Sequence, residues 1–253
     1  MNGDGSLTYT LRNYQLIFID DLYWKSVFNN LKLFLTIPIM TILSLFFSLL
    51  IYERLKGWKV FRTIIIFPYL ISVTVAAILF AEIFQYYGGV NEFLQFIGLG
   101  FLKRNWIGSK KLALYSIAYT IMWKQLGFGI IIFLARLSSI DEQLIEASKI
   151  DGASWWDTLI YIIIPQLASI ILFYMVISVV MLFNGVFNYV WVMTKGGPIQ
   201  STYVSELYIY ENAFTNYQLG KSCATSVVLL LGAIIVIFLQ FKIRKKLRRM
   251  AYA

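Results

Sequence analysis

No histidine occurs among the 253 residues, and Cys223 is the single cysteine. Without histidine the chain lacks the commonest general acid and base, and the zinc-protease helix and most transition-metal sites go with it. A lone cysteine allows no intrachain disulfide. Charge is scarce as well: 14% of residues are Asp, Glu, Lys or Arg, against 59% hydrophobic. That balance excludes an ordinary soluble domain and makes the chain a membrane protein. The charge that is present sums to +9. In a soluble chain this would raise the thought of nucleic acid. Here the basic residues cluster beside apolar segments and oppose anionic lipid headgroups, so they are topology signals and no nucleic-acid partner is expected. Met1–Ser6 lack the basic start and apolar run of a signal peptide.

The expected fold class is all-α, a polytopic transmembrane helical bundle. A spanning helix needs roughly 20 mostly apolar residues, and five segments meet that requirement: Leu31–Tyr52, Ile64–Phe84, Leu112–Ala135, Gln166–Val186 and Ser222–Phe241. The second contains Pro68 and Glu82 but is kept as one span, because neighbouring helices can resatisfy a freed carbonyl. Three regions follow: a lead-in at 1–30, a transmembrane domain at 31–241 and a basic tail at 242–253.

Orientation rests on Lys and Arg in the loops. The tail KIRKKLRRM carries six basic residues, and the first loop, ERLKGWKVFR, carries four. Placing both in the cytoplasm puts twelve basic residues there, with Arg136 and Lys149, and nine on the opposite side. The bias is modest, and LKRNWIGSKK, with four basic residues in an external loop, pulls against it. Five spans and a cytoplasmic tail leave the N-terminus outside, with nothing at the start to carry it there; the expectation is a missing first span. Leu7–Asn30 then reads as an external, interfacial lead-in.

On this topology the stretch EASKIDGASWWDTLIYIIIP, Glu146–Pro165, is cytoplasmic, within a loop at 141–165. DEQLIEA reads as a helix start, with acids where the helix dipole favours them. Gly152 breaks the run, and a second amphipathic helix leads through Pro165 into the fourth span. Two short helices joined at a glycine form an angled knob. Ala147 and Ala153 let another protein's backbone approach, and Glu146 and Asp151 offer it charge.

Glu146-Ala147-Ser148, Asp151-Gly152-Ala153, Ile162 and Pro165 resemble the EAA loop of the membrane-spanning subunits of bacterial ATP-binding-cassette (ABC) importers. Ser148 stands where that motif has alanine, and Ile164 where it has leucine. A second patch, FNYVWVMTKGGPIQSTYVSELYIYENAF (Phe187–Phe214), resembles the carbohydrate-uptake class, the maltose and glycerol-3-phosphate type, whose hallmark reads T-x-GGP, then S-T and an aromatic run. FRTIIIFPYLIS and WKQLGFGIIIFLARLSSI resemble the same class, so the likeness covers nearly the whole chain. The resemblance implies a type I importer permease fold, with six spans where five are seen here. It implies a coupling loop, at Glu146, Ala147, Asp151, Gly152, Ala153 and Pro165, that seats in a cleft of the ATP-hydrolysing subunit. ATP and Mg would belong to that partner, and this chain would bind no cofactor itself. Further implied partners are a second, homologous permease subunit, an extracytoplasmic solute-binding protein and a sugar or related polyol, all at the bacterial cytoplasmic membrane. KGGP is expected to be an external turn in which both glycines admit positive φ. Gly196, Gly197 and Pro198 are either a connector or, as the resemblance implies, a contact for the binding protein.

Polar residues inside spans usually face the bundle interior. The third span offers Lys124 and Gln125 beside Trp123 and Phe128, and the fourth offers Ser178, with Asn184 and Asn188 toward its outer end. Amides, hydroxyls and an ammonium interleaved with aromatic faces would suit a sugar. As the resemblance implies, Ser178 matches a serine lining the sugar site of the maltose-type member, and Phe128 falls where that member has tyrosine. Ser178 could instead bond to its own helix or a neighbour, the commoner fate of span serines. Lys124 could pair with Glu82 or bind an anionic substrate group.

No catalytic set emerges. LGKS (Leu219–Ser222) imitates a P-loop fragment, but Thr215 stands where the first glycine is due, and an apolar span follows. The rival reading is an autonomous ion-coupled carrier, which tends to bury acids and to carry internal repeats; Glu82 is the one candidate acid, and no repeat is visible. A membrane scaffold would not need the glycine-hinged loop.

Overall fold

The computed structural model describes residues 11–54 and 57–251, the side chains of 243–251 excepted. Residues 1–10 of the lead-in, Leu55 and Lys56 of the first basic loop, Tyr252 and Ala253, and most side chains of the basic tail lie outside the described residues. Among the described residues all regular structure is helical.

The chain enters through α1 (Arg12–Phe18) and α2 (Asp21–Phe34). The Asp20 carboxylate caps α2 by accepting the Leu22 N–H at 2.9 Å, satisfying a donor that the helix itself leaves free. Leu35 keeps helical dihedrals, so α2 runs into α3 (Thr36–Tyr52) as a 32-residue helix, Asp21–Tyr52. The first span therefore starts ten residues before the expected Leu31. Tyr23, Ser26, Asn29 and Asn30, expected in an interfacial lead-in, are buried. Their partners come from a segment some 170 residues onward, described below, which hydropathy cannot foresee.

The second expected span is broken. Helix α4 (Trp58–Leu70) ends just after Pro68, which cannot donate to the preceding turn. Ile71 and Ser72 are extended, and the Ser72 hydroxyl accepts the Val75 N–H at 3.2 Å to start α5 (Val73–Ile83). The two axes differ by 104°. At about 1.5 Å per residue α5 is only ~16 Å long, too short to span alone. The connection to the next span carries α6 (Gly89–Phe96) and is tied by buried Asn91, whose amide donates to the Tyr86 and Arg104 carbonyls and whose oxygen accepts from Trp106 Nε1.

Helix α7 (Ala113–Leu137) sits at the centre of the bundle. Beyond it come α8 (Glu142–Ile150), one turn of α9 (Trp155–Asp157), a π-helical stretch at Thr158–Ile163, α10 (Ile164–Met193), α11 (Ser205–Tyr210) and α12 (Leu219–Ala251). The fourth span outruns its expected end at Val186 because Tyr189, Val190 and Met193 are buried and hold the helix. Two glycines of α7 set its distance from its neighbours. A Cβ on Gly129 would lie 2.4 Å from Ser44 Oγ and 2.8 Å from Tyr174 Cζ, and one on Gly127 would lie 3.0 Å from the Ile66 carbonyl oxygen. Small residues at such crossings are how helices approach closely where lipid supplies no hydrophobic drive. Among the described residues four helices are long and apolar enough to cross a membrane, Asp21–Tyr52, Ala113–Leu137, Trp155–Met193 and Leu219–Lys242, and the count is five if the bent pair α4–α5 is one span.

Candidate functional site

The 141–165 loop is built by local rules that its sequence obeys one by one. Asp141 caps α8 by accepting the Gln143 N–H at 3.0 Å, and Glu142 and Lys149 sit in the turns that the helix dipole favours for each. The helix ends in a Schellman motif: the Gly152 N–H reaches the Lys149 carbonyl at 3.1 Å and the Ala153 N–H reaches the Ser148 carbonyl at 3.0 Å. That closure needs Gly152 in the left-handed region, at φ +80°. Ser154 then opens α9 with a capping box to Asp157. Pro165 brings no N–H to the turn before it, and the backbone there widens to π bonding, with the Ile164 N–H on the Leu159 carbonyl.

The knob so formed exposes Glu146, Ala147, Asp151, Gly152 and Pro165, with Ala153 half-buried. Ile150 is 85% exposed at its tip, an apolar side chain with nothing over it. The opposite face is seated on the bundle. Ser148 Oγ lies 3.0 Å from Thr158 Oγ1, both buried, and Trp155 Nε1 donates to Glu53 Oε1 at 3.0 Å. Below them Leu49, Leu137, Ile140, Leu159, Ile163 and Leu167 form a separate apolar cluster. Ser148 departs from the motif's alanine, and the Thr158 hydroxyl accounts for it. Beside the knob a cleft of about 740 Å³ is lined by Glu53, Arg54, Arg62, Glu146 and Lys149.

Inside the bundle, five residues were expected along one path, and the structure divides them. Gln125 and Ser178 come together with Tyr189 around a small, partly open pocket of about 10 Å³ between α3, α7 and α10. Gln125 Oε1 and the Tyr189 hydroxyl are buried there with no hydrogen-bond partner among the described residues. Lys124 points elsewhere. It is 6% exposed, its Nζ donates to the Tyr69 carbonyl at 3.3 Å, and it lies 5.2 Å from the centre of the Tyr69 ring. It therefore caps the carbonyl end of α4 at the break, where a cation is favoured. Glu82 is exposed and accepts from Gln85 Nε2, so the expected Lys124–Glu82 alternative is not formed. Phe128 stacks on Tyr69 at 5.3 Å and touches Tyr174 at 6.1 Å, on the α4 side. Asn184 is exposed and donates to the Val180 carbonyl of its own helix at 3.0 Å. A position read only by depth does not say which face of α10 it occupies.

Residues 25–249 match the family described as the binding-protein-dependent transport system inner membrane component. The chain belongs to that family. A probable ABC transporter permease of Pyrococcus horikoshii is 36% identical over 231 residues, covering 90% of this chain and 78% of that protein. The sn-glycerol-3-phosphate transport system permease of Escherichia coli O157:H7 is 31% identical over 234 residues, covering 92% and 78%. A bacterial ABC transporter involved in import of the acidic polysaccharide alginate shares the fold, with TM-score 0.84 at 21% identity over 96% of this chain and 85% of that one. This permease is thus a multi-pass protein of the cytoplasmic membrane.

At the end of the permease opposite the knob, the T-x-GGP segment is bound into the bundle. Thr194 Oγ1 and Thr202 Oγ1 lie 2.7 Å apart, and Thr202 also donates to the Gly197 carbonyl. Gly196 takes φ +83° but Gly197 does not; the other left-handed residues of the turn are Lys195, Ile199 and Gln200. Gly196 is buried, and a Cβ there would meet Leu207 and Tyr203 within 2.9 Å. It packs the turn; Gly197 and Pro198 are half-buried, and Ile199, 75% exposed, forms the tip. Asn29 donates to the Ser201 and Tyr203 carbonyls, Lys25 to Ile199, and Asn30 to both oxygens of Glu206 while accepting the Ser205 N–H. Burial pushes the Glu206 carboxyl up to about 7, against the pull of the Asn30 amide. Burial also raises the Tyr203 and Tyr208 hydroxyls, reinforced by their bonds to Glu211 and Asp20. An open groove of about 440 Å³ beside the turn is lined by Gln85, Tyr86, Asn105, Thr194, Gly197 and Pro198.

Proposed function

We propose that this permease forms half of an alternating-access pathway for a sugar or related polyol, paired with a homologous permease subunit. In this reading the 141–165 knob docks in a cleft of a separate ATPase subunit, which binds ATP and Mg and hydrolyses ATP. An extracytoplasmic binding protein delivers solute at the Gly197–Pro198 end. The observation that carries the reading is the knob itself. Its backbone shape is specified by a cap, a left-handed glycine and a capping box, yet its polar and apolar tips, Glu146, Ile150 and Asp151, are exposed, and the two carboxylates have no ion pair or side-chain hydrogen bond among the described residues. A surface so tightly shaped and so little used internally suits a fixed partner.

The solute class is a polyhydroxylated one: Gln125, Ser178 and Tyr189 line a pocket of about 10 Å³, room for about one water in this conformation, with an amide and hydroxyls of the kind such a solute pairs with. A permease named for glycerol-3-phosphate transport and a transporter of alginate are among the proteins this chain is similar to, which supports the same class. Detergent purification of the chain from its host, with mass spectrometry of what accompanies it and ATPase activity of the eluate, tests the reading. An ATPase, a second permease and a solute-binding protein are expected. A chain that purifies alone, and moves solute in liposomes on an ion gradient, would overturn it.

A further inference from the structure

We propose that the segment between α5 and α7 is a docking surface for anionic lipid, in which aromatic side chains of α6 and the turn after it enter the bilayer interface while Lys103 and Arg104 pair with phospholipid headgroups. The inference goes beyond the transport reading above and uses none of its partners. Apolar side chains exposed on a span meet acyl chains. Those of this segment lie outside the spans, between Ile83, where α5 ends, and Ala113, where α7 begins. Phe93, Phe96 and Ile97 follow at three- and four-residue spacing and so share a face of α6. Phe93 is 61% exposed, Phe96 88% and, beyond the helix, Phe101 72%. So much aromatic surface is costly to leave in water.

A fixed backbone holds these rings out. Buried Asn91 ties the inner side of α6 to Tyr86, Arg104 and Trp106. The helix then closes in a Schellman motif, with the Gly98 N–H on the Gln95 carbonyl at 3.1 Å, the Leu99 N–H on the Leu94 carbonyl at 2.8 Å and Gly98 at φ +79°. The reversed chain sets cations among the aromatics. Lys103 Nζ donates to Oε1 of Gln95, the residue before Phe96, and the Arg104 guanidinium donates to the Phe101 and Lys103 carbonyls at 3.0 and 2.8 Å. Residues 85–111 carry Lys103, Arg104, Lys110 and Lys111 against one acid, Glu92. On the orientation read from loop charge these cations lie on the side that the bias disfavours, and anionic headgroups give them a partner there. Basic residues beside apolar ones on a short helix are the pattern that lies in a bilayer interface. The spanning helix α7 starts two residues after Lys111, which keeps this segment at the membrane boundary and favours lipid over a soluble acidic protein.

The test reads which lipid lies against the face. In the full chain with the exposed Cys223 replaced (Cys223→Ser), Phe96→Cys is labelled with bimane, a small apolar fluorophore. The protein is reconstituted in mixed bilayers of phosphatidylcholine and phosphatidylglycerol, with one lipid or the other brominated on its acyl chains, since bromine quenches only at close range. Quenching by both is expected, with phosphatidylglycerol enriched at the label by about fivefold for each headgroup-facing cation. Lys103→Gln combined with Arg104→Gln should bring the ratio toward one. A label at Leu230→Cys, exposed on α12, reports bulk lipid and should show no preference in either background. Phe101→Cys is a second reporter if the Phe96 variant does not reach the membrane. Absence of quenching by either lipid would overturn the proposal, as would a ratio equal to that at Leu230 or one unmoved by the double substitution. Quenching by aqueous iodide that only an added solute-binding protein relieves would assign the face to that protein instead. The bilayers hold neither ATPase nor solute, so failure here is distinct from failure of the co-purification that tests the proposed function.

Discussion

Gly152 offers the sharpest test of the knob. Its φ of +80° lies where an L side chain costs about 1–2 kcal/mol, and a Cβ there meets no atom within 4 Å, so substitution carries a backbone cost alone. Asparagine tolerates the left-handed region better than alanine. Proline cannot adopt it and also deletes the N–H that reaches the Lys149 carbonyl at 3.1 Å. A cost of 1–2 kcal/mol is a factor of about 5 to 30 in the population of the closed turn. The series Gly152→Asn, Gly152→Ala, Gly152→Pro should therefore lose coupling in that order: little, roughly 5- to 30-fold, and nearly all. Because the turn is exposed and local, the amount of protein in the membrane and its melting temperature should stay near wild type. The assay is solute uptake and solute-stimulated ATP hydrolysis by the purified importer in proteoliposomes, expressed as solute moved per ATP. Wild-type coupling in both the alanine and proline variants would refute the argument that this backbone shape matters.

Helix packing and the buried carboxyl give two more expectations. Gly129→Ala places a methyl 2.4 Å from Ser44 Oγ and 2.6 Å from Ser44 Cβ, an overpacking worth about 1–3 kcal/mol. Gly232→Ala meets nothing and gains helix propensity of up to about 1 kcal/mol. Thermal unfolding in detergent should show the first lowered and the second unchanged or raised; equal melting temperatures would refute the close approach. The Glu206 carboxyl is raised from 4.5 to about 7, so the folded state holds its proton more tightly than the unfolded one. Its linked stability is present below about pH 4.5 and is lost as pH rises toward 7. Glu206→Gln should flatten that slope and be more stable than wild type at pH 8, by about 1–3 kcal/mol; a slope unchanged between pH 5 and 8 would count against the burial argument.

Much of the membrane architecture was legible from local rules. Runs of about 20 apolar residues located the spans, and the acid–glycine–proline spacing of 141–165 anticipated a two-helix knob, because caps, Schellman closure and proline geometry involve residues only a few positions apart. Pro68 was visible too, but a proline tolerated within a span and one that ends a helix look alike until the neighbours are placed. The candidate pathway was less legible. Depth along a helix, joined by the family resemblance at Phe128 and Ser178, singled out Lys124, Gln125, Phe128, Ser178 and Asn184, yet only Gln125 and Ser178 share the pocket. Tyr189 was missed, since a tyrosine near the end of an apolar run reads as an interfacial aromatic. The signal that could have found it is its eleven-residue spacing from Ser178, three helical turns along the same face.

The sequence by itself determined that this protein is a helical membrane protein without histidine chemistry, which segments carry its apolar runs though not where their helices begin and end, and that a shaped polar loop stands between the third and fourth. Each of these depends on composition or on contacts within a turn or two of helix. Only the tertiary structure decided that Asn29 and Asn30 clamp the Ser201–Glu206 segment, that Lys124 turns to the α4 break while Gln125 turns to the pocket, and that Gly196 is packing rather than surface. The reason is geometric: adjacent residues on a helix point about 100° apart, and which direction is interior depends on helices that the local sequence does not contain.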